Sequence, residues 1–344
     1  MNKKTMLTLT IIMLVSVFLS FYSLPYYIQK PGSAFALDDI VEVTDGTDSE
    51  GDFSLMTVSQ VQANVFAYAW AYFSEYQEIY RVEEVRNPHE SEEEYSVRQL
   101  YLMDNSAAQA IEVAFREAGA EFEYLYNGIY ILNVFPGMPA EDILQAGDRI
   151  TQVDETALES SEQFIDYVSE MEAGDTVTIV YERDGEERSD DITLETFPEN
   201  DNQVGMGISL VDDIELKTDP AVKIDSGGIG GPSAGLMYAL EIYDQLLEED
   251  LTSGKMVAGT GTISSEGTVG RIGGIEQKVV AADRQGIEIF FAPDDELPED
   301  VLNDNPDLQT NYEAALQTAE SIGTDMEIIP VREFEDALEY LNSL

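Results

Sequence analysis

The sequence predicts an α+β protein in three parts: an N-terminal transmembrane helix, a small β-rich domain and a larger α/β domain. Three observations predict it. An apolar run near the amino terminus is long enough to cross a bilayer. Residues 128–195 read as short strands around one helix, with glycine-containing turns between them. Beyond residue 199, strand-like runs are interleaved with apolar residues at helical spacing. The divisions fall at 1–37 (cytoplasmic tip, anchor and juxtamembrane segment), 38–125 (a strand pair and a helical segment placed against the larger domain), 126–198 and 199–344.

The apolar run is Met6 to Leu24, interrupted only by Thr and Ser. A helix of that length spans about 28 Å, close to the hydrocarbon thickness. Lys3 and Lys4 precede it, which places the amino terminus in the cytoplasm by the positive-inside rule. Tyr22, Tyr26 and Tyr27 fall where an interfacial aromatic belt belongs. The competing reading is a cleaved signal peptide, for which Ala34-Phe35-Ala36 fits a small-x-small site. The run is long for a signal sequence and the site lies well beyond Leu24, so an uncleaved single-pass anchor is the favoured reading, with residues 38–344 extracellular.

Composition narrows the chemistry. The chain has 344 residues, and its 44% hydrophobic content suffices for a packed core. No cysteine means no disulfide, thiolate metal site or cysteine nucleophile. A single histidine, His89, removes His-rich metal centres and most imidazole chemistry. With 69 acidic against 17 basic residues the net charge is −52, which argues against nonspecific binding to nucleic acid or anionic lipid. Residues 1–37 carry three lysines and no acid, so residues 38–344 are more negative still.

Val41–Val43 and Phe53–Val58 read as strands joined by the turn Asp45–Asp52. That turn invites a calcium reading, but its acids lack loop-ligand spacing, so a solvated hairpin is expected. Apolar spacing predicts a helix over 60–80, with Phe66, Trp70 and Phe73 as an aromatic stripe. So many aromatics point to core or interdomain packing, with a membrane-lying face as the alternative near the anchor. Asn87–Glu94 reads as a polar loop, and Asn105–Gly119 as a second helix.

From Gly128 a strand leads to Gly137-Met-Pro-Ala and then Ala146-Gly-Asp-Arg-Ile; a helix over 160–171 and strands 176–182 and 191–194 follow. This 70-residue pattern resembles a PDZ domain. The resemblance implies β-augmentation, in which a peptide adds as a strand between the edge Gly128, Ile129, Tyr130, Ile131 and the helix carrying Phe164 and Val168. The alternative is a groove filled by the protein's own chain.

The densest signal is Lys223–Leu247. Its run of glycines lets backbone approach something closely, and from Pro232 apolar spacing turns helical. Ser233 therefore stands at a helix amino terminus, a place for a nucleophilic oxygen and an oxyanion hole, or for a simple N-cap. Ser226, in Asp225-Ser226-Gly227-Gly228, mimics a nucleophile turn of the His-dependent kind, yet its only candidate base is His89. A lysine can serve as base when an apolar pocket lowers its pKa. Residues 38–344 hold four lysines, Lys217, Lys223, Lys255 and Lys278, and only Lys278 has apolar helical surroundings. Its competing role is a snorkelling or ion-paired lysine near Glu276 or Asp283.

Gly231-Pro232-Ser233-Ala234-Gly235, then Thr260-Gly261-Thr262-Ile263, then the segment Gly270 to Lys278, resemble in order the proteolytic domain of Lon peptidases over roughly residues 200–344. The resemblance implies Ser233 as nucleophile, Lys278 as base and Thr260 as a hydrogen-bond partner of the lysine, supported by Gly231, Pro232 and Ala234. Two positions depart from that family's usual pattern: Gly230 stands where an Asp is common, and Thr262 where a Glu is common. No Walker A run occurs; Ser253-Gly254-Lys255-Met256 lacks its flanking residues. The whole is similar to membrane-anchored PDZ–Lon peptidases of Gram-positive bacteria, which implies an ATP-independent serine endopeptidase acting on exported peptides or flexible segments, with no metal and no cofactor. Two other readings remain: a noncatalytic PDZ adaptor for exported or membrane proteins, and an HtrA-like protease dependent on His89. The acidic surface suggests a saline or alkaline habitat, pushes Lys278 toward protonation and so predicts an alkaline, salt-favoured optimum.

Overall fold

A mixed six-stranded sheet frames the larger domain, in the order Glu327–Val331, Ile289–Pro293, Met256–Gly259, Asp52–Asn64, Ser23–Ala36, Glu78–Arg81. The computed structural model describes every residue except 1–2, 48, 88–89, 199, 248–249, 296, 299–300, 303–304 and 307, and only the backbone of 201 and 202. The first four strands are parallel; the last two join antiparallel. Parallel strands are covered on both faces, so they read as unbroken apolar runs such as Phe290-Phe291-Ala292. On one face Phe53, Leu55, Val257 and Phe291 pack against the helices Glu92–Ala118, Gly235–Leu246 and Phe334–Leu341. On the other, Met56, Ala258 and Phe290 meet the helices Ile275–Arg284 and Asn311–Ile322. Helix Gly235–Leu246 lies between the sheet and the long helix, so Leu236 to Leu240 are all buried, where spacing predicted a single apolar face.

Several expectations change upstream. The apolar helix runs from Lys3 to Phe21 rather than from 6 to 24; it is long and apolar enough to cross a membrane and none of it is buried. Ser23–Ala36, expected as a juxtamembrane segment, is a strand inside the sheet, paired with Asp52–Asn64 on one side and Glu78–Arg81 on the other. Strands 41–43 and 52–64 do not form a hairpin. Val41–Val43 pairs with Val222–Ile224, while Asp52–Gly51 backbone is held against residues 252–255 and Thr47 bonds the end of helix Gly235–Leu246. The helix expected over 60–80 is a strand to Asn64, a short helix Val65–Ala71 and a further strand Glu78–Arg81. Asn64 sets that boundary: its side chain accepts the N–H groups of Phe66 and Ala67. The helix expected at 105–119 starts earlier, at Glu92, where Ser91 and Glu94 form a capping box.

The smaller domain is a second sheet ordered Ile208–Asp219, Glu121–Val134, Arg149–Val153, Thr176–Arg183, Glu186–Thr193. Helix Ser161–Ser169 covers it, with Phe164 and Val168 packed among Ile129, Ile131, Ile150, Val177 and Ile179. Its outermost strand, Ile208–Asp219, lies beyond the expected boundary at 198, so the β-rich unit closes only with residues assigned by sequence to the larger domain. The long helix joins the two domains. Its Tyr101 stacks on Tyr130 of the small sheet, with ring centroids 5.6 Å apart, and donates to the carbonyl of Asp212.

Proteolysis after Ala36 would remove the strand that joins Asp52–Asn64 to Glu78–Arg81. Mass spectrometry of the mature amino terminus should therefore find no chain beginning at Leu37; a folded, active chain starting there would contradict this sheet.

Candidate active site

Gly231 to Ala234 form a tight turn, with a 3-10 segment at Pro232–Ala234 that runs into helix Gly235–Leu246. The long helix holds this turn from behind: the Gly231 N–H donates to the Gln99 carbonyl at 2.8 Å, and Ser106 Oγ donates to the Pro232 carbonyl at 2.8 Å. Contact is close enough to require glycine. A Cβ on Gly235 would lie 2.6 Å from Ser106 Oγ and 2.8 Å from Ile263, and one on Gly230 would lie 2.8 Å from Gln99 Cβ. The second collision accounts for the missing aspartate at Gly230: the long helix occupies the space a side chain there needs.

Lys278 enters from the opposite face of the sheet. It lies one turn into helix Ile275–Arg284, its N–H donating to the Gly274 carbonyl, and it is 2% exposed. Its Nζ is 2.8 Å from Ser233 Oγ and 2.7 Å from Thr260 Oγ1. Thr260 Oγ1 donates to the Ser233 carbonyl at 2.9 Å, and the Gly261 N–H donates to the same oxygen at 2.9 Å. The threonine proton is thereby committed, so Thr260 can only accept from the amine. A neutral amine that donates one N–H to Thr260 has its lone pair left for the Ser233 proton.

Burial lowers the Lys278 pKa to about 7. Among the described residues no carboxylate opposes this shift, so the expected push toward protonation by the acidic surface does not reach this amine. Nor does Lys278 snorkel or pair with Glu276 or Asp283: among the described residues it has no ion pair. Of the other lysines of residues 38–344, Lys217 and Lys223 are exposed and Lys255 is partly buried, Lys255 pairing with Glu288 and Lys217 with Glu123.

Ser233 is half-buried and opens into a cleft of about 670 Å³. The strands at Met56–Gln60, the turn Gly228–Ala234, Thr262 and Arg271–Gly273 line it. The structure thus brings together Ser233, Lys278, Thr260, Gly231, Pro232 and Ala234. One refinement concerns the backbone donors: Gly231 N–H is engaged with Gln99, Pro232 has none, and the 3-10 turn occupies that of Ala234, which leaves the Ser233 N–H for an oxyanion. Ser226 lies apart in a turn with Ile229, and His89 lies outside the described residues. Sequence reading missed Gln99 and Ser106: the expected helix began only at Asn105, and nothing local said what it packs on.

The expected peptide edge is a correction. Gly128, Ile129, Tyr130 and Ile131 pair on one side with Arg149 and Ile150 and on the other with Leu210 to Asp213, so no strand can add there. The protein's own Ile208–Asp219 strand fills that place. Phe164 and Val168 instead border a smaller cleft of about 150 Å³ beside Met206, Gly207, Ile208 and Leu210, on the outer strand of the sheet. The available signal was Gly205-Met206-Gly207 followed by the alternating run Ile208-Ser209-Leu210, a turn leading into an edge strand.

A third cleft, about 520 Å³, is lined by Asp38, Asp39, Glu42, Asp45, Asp52, Asp225 and Glu241, with Lys223. Burial raises the Glu241 carboxyl to about 7. Its partner Gln245 also accepts from the Val43 N–H and donates to the Val41 carbonyl, so the pair fastens this strand. Among the described residues no group of carboxylates and imidazoles is arranged to hold a metal ion.

Residues 118–194 match the family profile of the PDZ domain, and residues 210–341 that of the Lon protease (S16) C-terminal proteolytic domain. The chain carries these two domains in that order. Among curated proteins, the Lon protease of Mycoplasma pneumoniae is 33% identical over 96 residues, 26% of this chain and 12% of that protein. Lon protease 1 of Bdellovibrio bacteriovorus is 38% identical over 96 residues, again 26% and 12%. The chain thus spans about a tenth of the length of the curated relatives it matches. Among solved structures, the PDZ domain of an SdrC-like protein from Listeria monocytogenes is 40% identical, covering 25% of this chain and 90% of that one, with a TM-score of 0.24. A Geobacillus thermodenitrificans protein is also 40% identical, covering 24% and 94%, with a TM-score of 0.22.

A lysine buried in its neutral form takes up a proton on unfolding, so its burial cost falls as pH rises from about 7 to the free value of 10.5. Lys278→Met should therefore be more stable than the parent at pH 7, by thermal unfolding, with the gap narrowing toward pH 10. A gap independent of pH would mean that Lys278 is not neutral in the folded state.

Proposed function

We propose that the chain is an ATP-independent, membrane-anchored serine endopeptidase with an extracellular proteolytic domain. The observation that carries this reading is a lysine amine, buried and held near pKa 7, at 2.8 Å from a serine hydroxyl that faces a cleft. Neutral Lys278 takes the Ser233 proton as Oγ attacks the peptide carbonyl carbon. The Ser233 N–H receives the developing oxyanion. The C–N bond then breaks, Lys278 returns the proton to the leaving amine, and water releases the acyl group by the same route in reverse. Thr260 holds the amine toward Ser233 in both half-reactions.

Support for the anchor comes from the exposed apolar helix Lys3–Phe21 and the lysines before it. Support for ATP independence comes from the lack of a Walker A run in the sequence. With no unfolding motor in the chain, substrates are flexible peptides or exposed loops. The PDZ domain captures part of them in the groove between helix Ser161–Ser169 and the edge strand at Ile208–Leu210, with Phe164 and Val168 on its wall.

Ser233→Ala and Lys278→Ala should each abolish cleavage of a flexible peptide while the circular dichroism spectrum is retained, and a serine-reactive phosphonate should label the parent but not Ser233→Ala. Full activity in either variant would falsify the dyad, and a parent that neither cleaves nor labels would instead fit a PDZ adaptor. Because the base must be neutral, kcat/KM for the parent should rise about tenfold per pH unit below 7 and level off above it. A maximum near pH 5 would contradict the assignment of Lys278 as base.

A further inference from the structure

The short helix Val65–Ala71 and the two residues after it form an unpartnered aromatic face. Phe66, Trp70 and Phe73 stand at i, i+4 and i+7, one stripe of a helix, and are 47%, 70% and 84% exposed; Tyr72 beside them is equally open. These side chains were expected in core or interdomain packing, with a membrane-lying face as the alternative. The core role falls instead to the opposite face, where Ala67, Tyr68 and Ala71 pack on Ile28, Ala63 and Ile79. Large aromatics left together in water call for an explanation.

Position supplies it. Asn64, which caps this helix, also donates from its side-chain amide to the carbonyl of Ser20, at the end of the apolar helix Lys3–Phe21. The aromatic stripe thus sits beside the level where that helix ends, next to exposed Phe21 and Tyr22. The nine residues from Val65 to Phe73 carry no charge, in a chain that is 25% charged and strongly acidic. An uncharged aromatic surface is what a lipid headgroup region accepts, and it spares an acidic protein repulsion from anionic lipids at the point of contact.

We infer that Phe66, Trp70, Tyr72 and Phe73 are a second membrane contact, a foot that rests in the interface of the leaflet from which the chain emerges and fixes the height and tilt of the proteolytic domain. This rests on the reading of residues 3–21 as an anchor. Trp70 is the sole tryptophan, so its emission reports on the foot alone.

The full chain is reconstituted into phosphatidylcholine vesicles, and membrane retention is read by flotation after an alkaline carbonate wash. Trp70 emission is then measured with lipids brominated at shallow or deep acyl positions and with aqueous acrylamide. The expected result is retention, a blue-shifted emission, stronger quenching by shallow than by deep bromines, and weak quenching by acrylamide. The double variant Phe66→Ser/Phe73→Ser should stay in the vesicles and lose much of the bromine quenching. Retention with Trp70 open to acrylamide and untouched by bromine overturns the foot and leaves the anchor standing. Unchanged bromine quenching in the double variant also overturns it. Loss of the chain in the carbonate wash overturns both readings.

Discussion

The geometry around Ser233 depends on one unusual burial: a lysine amine in an apolar interior with no carboxylate beside it. Elsewhere the chain surrounds its few cations with acids, as in the pairs Arg183–Asp148, Arg98–Glu90 and Arg332–Asp294. A carboxylate next to Lys278 would hold its charge. The fold instead gives the amine two hydroxyl oxygens, from Ser233 and Thr260, as polar partners. Those satisfy its hydrogen-bonding needs without stabilising the ammonium as a full charge would. The rest of the domain keeps water and acids away: the sheet on one side, helix Asn311–Ile322 behind the lysine helix, and Asn311 closing the turn at Ile272 by donating to its carbonyl and accepting from its N–H.

The Ser233 side of the cleft is arranged by a different element. Helix Glu92–Ala118 contacts the turn before Ser233 through Gln99 and Ser106, and the PDZ domain through Tyr101 on Tyr130 and Asp212. Gln99 and Tyr101 are two residues apart on one rigid helix. Motion of one sheet relative to the other must therefore bend this helix, slide it, or break its contacts either with the Gly230–Pro232 turn or with Tyr130 and Asp212.

Much of this was legible in the sequence where chemistry is local. Glycine-rich turns, a lone apolar lysine and alternating strands each carry their reason within ten residues; Ser233 and Lys278 were found that way, while Thr260 came only from the resemblance to Lon peptidases. What was not legible is long-range pairing. Nothing local says that Ser23–Ala36 enters a sheet or that Val41–Val43 pairs with Val222–Ile224; both follow from partners remote in sequence. The PDZ edge failed for the same reason, since the strand that covers Gly128–Ile131 arrives some eighty residues later. At 60–80 the aromatic spacing suited a helix, but strand pairing won up to Asn64, whose cap then restarted the chain as a helix.

Strand order also dictates when the cleft can come into being. Ser23–Ala36 and Asp52–Asn64 form an antiparallel pair early in the chain, yet their next neighbour is Met256–Gly259, and the sheet ends only with Glu327–Val331. Contacts so distant in sequence form late and slowly. A nascent chain emerging amino end first holds Ser233 and Lys278 apart until nearly all of it has been made, so the pair assembles last and a truncated product carries a serine without its amine partner.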